Sequence, residues 1–223
     1  MERIISKVTK RLTGIARRAF SPEPEWRKHK RLVDREFDSA SGLDTGGITH
    51  LKGLGVPREA WSEGFPHIAV DPDEFAAALD AVELDLSMLT FVDFGSGKGR
   101  ALLLAAEHPF KRIIGVEFAE PLVQTARANL RQYGQTHDVR RIEVVHSDAT
   151  KYDLPEEPLL VFLYNPFGES MMKAVAERTR ESLRSAPREA VILYLNPFHA
   201  NAWADAGFSE IKRGAHFRVF ALT

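Results

Sequence analysis

Phe91-Val92-Asp93-Phe94-Gly95-Ser96-Gly97-Lys98-Gly99-Arg100 runs an apolar strand into an acid and then into three glycines at alternate positions. Glycine is used where a side chain would clash or where φ must be positive. A helix expected over 101–108 would aim its free N–H groups back at the turn. The segment therefore reads as a strand–turn–helix unit shaped around a nucleotide-like ligand.

Spacing separates the candidate ligands. The dinucleotide fingerprint G-x-G-x-x-G would need glycine at 100, where the chain has Arg100, and no G-x-x-x-x-G-K-[ST] run is present. Further apolar strands follow in order. One over 112–117 ends in Glu117, about twenty residues after the turn, where the general logic of such sheets places a ribose-binding acid. One over 142–145 ends at His146-Ser147-Asp148-Ala149, and one over 159–164 ends at Asn165-Pro166-Phe167. A fifth over 190–195 ends at Asn196-Pro197-Phe198-His199, a second copy of the same tripeptide. Segments 208–213 and 216–222 around Gly214 read as a terminal hairpin. Between the strands, Leu122, Ala126 and Leu130 share one helical face behind Pro121, and Met171, Met172, Val175, Ala176 and Leu183 share another. The alternation predicts an α/β fold: a doubly wound, mostly parallel seven-stranded sheet with helices on both faces, closed by an antiparallel hairpin.

The G-x-G-x-G turn preceded by Asp93 resembles the first motif of the class I S-adenosylmethionine-dependent methyltransferases. The resemblance implies that Gly95, Ser96, Gly97 and Gly99 pass the methionine part of S-adenosyl-L-methionine and that Asp93 helps hold its ammonium. It also implies that Glu117 takes the ribose, and that Asp148 and Ala149 lie at the adenine. Asn165-Pro166-Phe167 resembles the [DN]-P-P-[FY] motif of methyltransferases acting on amine or amide nitrogen, one proline shorter. That likeness makes Asn165 an acceptor of hydrogen bonds from the target nitrogen, at the junction with the cofactor, and Phe167 a stacking wall. His199 and His146 are candidate bases, because imidazole titrates near neutrality. Together with Asp44-Thr45-Gly46-Gly47 upstream, the pattern is similar to a bacterial group of class I methyltransferases, and distantly to the histone-lysine methyltransferases that lack a SET domain. The tyrosine of the lysine enzymes' Tyr-x-Pro loop has no counterpart in Val70-Asp71-Pro72.

The 223 residues, 44% hydrophobic and 27% charged, suit a globular domain with appendages. There is no cysteine, which excludes disulfides, thiolate nucleophiles and cysteine-ligated zinc, and fits a cytoplasmic protein. The fourth strand ends in Asn165 where the metal-dependent, catechol-type O-methyltransferases have acidic ligands, so the comparison with that family implies no metal. No apolar run approaches a membrane span. Residues 1–31 carry ten Lys or Arg against three acids, leaving a net −8 on the remainder of a chain whose total is −1. Within them Ile4, Val8, Leu12 and Ile15 recur at helical spacing, so residues 1–36 read as a basic amphipathic arm for an anionic surface, including peripheral contact with a membrane. Residues 37–87 read as a lid or substrate region, with Asp44 and Thr45 bounding the substrate or the cofactor tail, and 88–223 as the catalytic domain.

Three functions are carried forward. The first is N-methylation of a protein side chain or an amine-bearing small molecule. The second is O-methylation of a small metabolite. The third is a non-enzymatic cofactor- or nucleic-acid-binding module.

Overall fold

The computed structural model describes residues 23–56 and 64–222, so the apolar stripe of the basic arm lies outside the described residues. One seven-stranded sheet has the order β3-β2-β1-β4-β5-β7-β6. Its strands are β1 (Thr90–Phe94), β2 (Arg112–Glu117), β3 (Ile142–His146), β4 (Leu159–Tyr164), β5 (Ala190–Leu195), β6 (Phe208–Arg213) and β7 (Phe217–Leu222). The first five are parallel, and β7 enters antiparallel between β5 and β6. Strands covered on both faces lose the apolar–polar alternation and read as continuous apolar runs, as β4 and β5 do. Edge strand β6 instead exposes Ser209 to Arg213, and its charges blunt pairing with another chain.

Two cores result. On one face Val92, Ile114, Val161 and Ile192 pack under α5 (Glu169–Ser185) and α6 (Asn201–Asp205), where Met172 and Trp203 are sealed from solvent. On the other, Phe91, Phe162 and Leu193 pack under α2 (Pro72–Leu79), α3 (Arg100–Ala106) and α4 (Glu120–Tyr133). Met172 fills core as its helical spacing predicts.

Helix α1 (Glu25–Ser41) starts directly after Pro24 and stops at Gly42 in the left-handed conformation, φ 66°. It runs through the boundary expected at 36/37. Of the five Lys and Arg of the arm that fall on it, three pair locally: Lys28 with Glu25 at 2.7 Å, Arg31 with Glu23 at 2.8 Å, and Lys30 with Asp34. Asp71 caps α2 by accepting the Asp73 N–H at 2.9 Å, with Pro72 in its first turn. No helix among the described residues is long and apolar enough to cross a membrane.

Candidate cofactor and acceptor site

The carboxyl ends of β1, β2, β4 and β5 open into one cavity of about 250 Å³. Sheets of this kind leave a crevice at the point where strand order reverses, here between β1 and β4. Gly95, Gly97 and Gly99 all have positive φ (80°, 55° and 89°), so the turn needs glycine for its backbone alone. The close approach the sequence suggests is also present, but its source is the protein itself. A Cβ on Gly95 would lie 2.5 Å from Pro166 Cβ, and one on Gly97 would lie 2.2 Å from His67 Nδ1. The turn is thus pinched by the acceptor-side proline and by a histidine from the loop before α2.

Two carboxylates face this cavity. Asp93 is 3% exposed, and no hydrogen-bond donor among the described residues reaches it. Burial, and after it the charge of Glu117, push its carboxyl well above the ordinary value of 3.8. Glu117 is 4% exposed and accepts the N–H groups of Gly97 (2.9 Å) and Ala119 (2.8 Å). Burial still raises its pKa, against the lowering effect of those backbone bonds. Ser96 Oγ is buried without a partner beside them. A cavity with two desolvated carboxylates and an unpaired hydroxyl favours a cation that offers N–H donors.

Arg100, which replaces the third glycine of a dinucleotide turn, is buried and points away from that role. It donates to Thr45 Oγ1 (2.8 Å) and Asp34 Oδ1 (2.6 Å) and lies over the Phe37 ring at 4.6 Å. Asp38 in turn accepts the N–H groups of Thr45 (3.0 Å) and Gly46 (2.8 Å), and Gly46 carries no Cβ because Asp34 Cβ would sit 2.5 Å from it. Asp44 pairs with Lys98 at 2.6 Å. Asn129 Nδ2 donates to both Asp44 O (2.8 Å) and Lys98 O (2.9 Å). Asp44 and Thr45, expected at the substrate, therefore brace the outside of the glycine turn against α1 and do not line the cavity.

At the acceptor end, Asn165 and Asn196 both adopt left-handed backbone, φ 44° and 47°, which asparagine tolerates better than other residues with side chains. Their side chains are crossed. Tyr194 OH donates to Asn165 Oδ1 at 3.0 Å, while the Asn196 side chain hydrogen-bonds the Tyr164 phenol. Burial pushes both phenols up to about 12, so each stays protonated. The two NPF copies diverge at the aromatic. Phe167 is 3% exposed, packs into the core, has its backbone bridged to Gly64, and still lines the floor of the cavity. Phe198 is 79% exposed and lines the cavity mouth opposite Phe65, which is 41% exposed and stacked on His199.

Of the remaining expected residues, Gly99 opens α3, away from the cavity lining. Asp148 caps its own turn through Thr150 N (2.9 Å), Ala149 is in the core, and neither lines the cavity. His199 stands behind Phe65, its N–H pointing to Tyr194 OH at 3.4 Å. His146 is fixed to Phe118 O (2.9 Å) and Glu120 (2.8 Å). Sequence reading passed over His67, Phe118 and Phe198; an aromatic directly after the β2 acid and an unburied second NPF were the available signals for the last two.

Residues 91–186 match the family model described as a methyltransferase domain. Residues 91–186 carry a methyltransferase domain, in a sheet of the Rossmann-like class I order. Solved structures agree in fold. A methyltransferase from Pyrococcus furiosus is similar over 87% of this chain and 97% of its own, with a TM-score of 0.54 and 17% identity. The precorrin-6y C5,15-methyltransferase of Geobacter metallireducens is similar over 69% and 88%, with a TM-score of 0.52 and 18% identity. The 23S rRNA methyltransferase ErmE is similar over 70% of each chain, at 0.50 and 18%. The cofactor of this methyltransferase is S-adenosylmethionine, and the unpaired Asp93 carboxylate fits its ammonium.

Proposed function

We propose that this methyltransferase transfers the methyl group to a nitrogen, on a protein side chain or an amine-bearing small molecule. The observation that supports it is the Tyr194–Asn165 hydrogen bond. Tyr194 OH accepts the His199 backbone N–H and donates its own O–H to Asn165 Oδ1, so the amide is held with its oxygen as the acceptor. That oxygen keeps a second lone pair for an N–H of the incoming group. Pro166 O, the neighbouring main-chain acceptor, receives the Phe65 N–H at 3.4 Å and likewise keeps a lone pair, so a second N–H of the same group can bond beside Asn165.

S-adenosylmethionine, when bound, supplies a methyl already activated on sulfonium. The chain's own work is alignment: Asp93, the turn of Gly95, Ser96 and Gly97, and Glu117, which share the cavity, hold the donor. Asn165 aims the acceptor nitrogen, and Phe65 and Phe198 bound it at the mouth, where orientation alone lowers the barrier. O-methylation of a small metabolite is the competing reading: the fold is shared with a precorrin-6y and a 23S rRNA methyltransferase, so the fold by itself selects no acceptor.

The test is transfer from labelled S-adenosylmethionine into lysate separated into protein, nucleic-acid and small-molecule fractions, comparing wild type with Asn165→Gly. Glycine keeps the left-handed backbone and removes only the amide. Label in the protein or amine fraction that disappears with the variant, at unchanged cofactor affinity, supports the reading. Label that persists with Asn165→Gly removes it.

A further inference from the structure

We propose that His67, which belongs to no cofactor motif, is a cofactor-contacting residue: its Nδ1 accepts a hydrogen bond from the α-ammonium of S-adenosylmethionine, beside the Asp93 carboxylate. The proposal rests on the methyltransferase reading and extends the donor site to the segment before the first strand.

The backbone of His67 is fixed on both sides. Its N–H donates to Thr49 O (2.9 Å) and its carbonyl accepts Thr49 N–H (3.0 Å), an isolated antiparallel bridge. The ring is fixed as well. Nε2 lies 3.1 Å from Thr45 O, and a carbonyl only accepts, so Nε2 carries the proton and Nδ1 is a bare lone pair. Nδ1 faces the middle glycine of the turn, where a Cβ would stand 2.2 Å away, and it has no hydrogen-bond partner among the described residues. The ring lines the same cavity as Asp93, Gly95 and Gly97.

The surroundings keep that lone pair available. Burial first, and then Lys98, Arg100 and Lys30, bring the His67 pKa down to about 4, so the ring is neutral near pH 7. Those cations are themselves paired, Lys98 with Asp44 and both Arg100 and Lys30 with Asp34. Among the described residues the turn thus presents two acceptors without donors, the Asp93 carboxyl and the neutral imidazole. A group with several N–H bonds and a positive charge satisfies both, and the ammonium is the part of the cofactor with that character. The Asp44-Thr45 loop gains a role here, since the Thr45 carbonyl selects the tautomer.

Calorimetry with S-adenosylhomocysteine and with methylthioadenosine, which lacks the amino-acid tail, tests this on the full chain. His67→Phe keeps a ring but no acceptor. His67→Asn places an amide oxygen near the Nδ1 position while losing the Thr45 bond. We expect His67→Phe to weaken S-adenosylhomocysteine by roughly ten- to a hundredfold, the range for a hydrogen bond to a charged group, without changing methylthioadenosine. His67→Asn should stay near wild type for both. Equal affinity of His67→Phe and wild type for S-adenosylhomocysteine overturns the proposal. So does a parallel loss of methylthioadenosine, or a His67→Asn variant as weak as His67→Phe. Wild type binding neither ligand would instead overturn the cofactor reading on which the proposal stands.

Discussion

Replacing Asp93 with asparagine should leave a protein that is more stable and binds its cofactor less well. The carboxylate is 3% exposed, lacks a donor among the described residues, and stands beside Glu117. Asparagine is isosteric, and the change removes a desolvated charge and a like-charge repulsion while breaking no described hydrogen bond. The pH dependence has a definite sign. Asp93 keeps its proton to higher pH in the folded chain than in the unfolded one, so the folded state binds more protons and wild-type stability falls as pH rises from 3.8 through the raised folded value. The variant titrates nothing at that position. Its advantage therefore grows with pH and is complete above the folded pKa of Asp93. Each 1 kcal/mol recovered moves the melting temperature of a chain this size up by about 2–4 °C. Binding changes the other way. A hydrogen bond to a charged group contributes about 1.5–3 kcal/mol, so the affinity for S-adenosylmethionine should drop roughly ten- to a hundredfold. Thermal melts from pH 4 to 8 and calorimetry on the same preparation supply both numbers. Unchanged affinity, or a melting temperature lowered at every pH, would refute the assignment of Asp93 as the unpaired anion that receives the cofactor's cation.

Asn165→Gly should lower kcat/KM by roughly one to three orders of magnitude while calorimetry shows the cofactor affinity unchanged, because an orienting contact acts in the transition state. Arg100→Leu removes one of the two cations paired with Asp34, Lys30 remaining, together with the bond to Thr45, and should cost about 1–3 kcal/mol, seen as a lower melting temperature and as loss of hydrogen-exchange protection in α1. His67 has a folded pKa of about 4 against 6.5, so the unfolded chain binds the proton first and stability falls as pH drops from 6.5 to 4. At ~1.4 kcal/mol per pH unit the loss is at most about 3 kcal/mol, and the difference between wild-type and His67→Phe melts across that window should show it.

The parallel strands were legible because burial on both faces writes them as uninterrupted apolar runs bounded by glycine, proline or charge; β2, β4 and β5 have the expected ends. The glycine turn was legible for the same local reason, φ and space. What stayed hidden is non-local. His67 lies far before Gly97 in the chain and meets it only through a bridge to Thr49. The Arg100–Asp34 pair joins residues 66 apart in the chain, and through it and Thr45 the upstream loop braces the glycine turn. The two NPF copies looked alike, yet Phe167, its backbone bridged to Gly64, is buried and Phe198 is 79% exposed. Tyrosine stands one residue before the first asparagine and two before the second, and the register Tyr164↔Leu195 and Leu163↔Tyr194 lets each reach across to the other strand's asparagine.

The central claim is that a nitrogen held at Asn165 receives the methyl group. It is tested most directly by carrying out the reaction with S-adenosylmethionine labelled with carbon-13 in its methyl and reading the carbon–proton correlation of the isolated product. The account predicts a resonance in the N-methyl region. A resonance in the O-methyl region would contradict it.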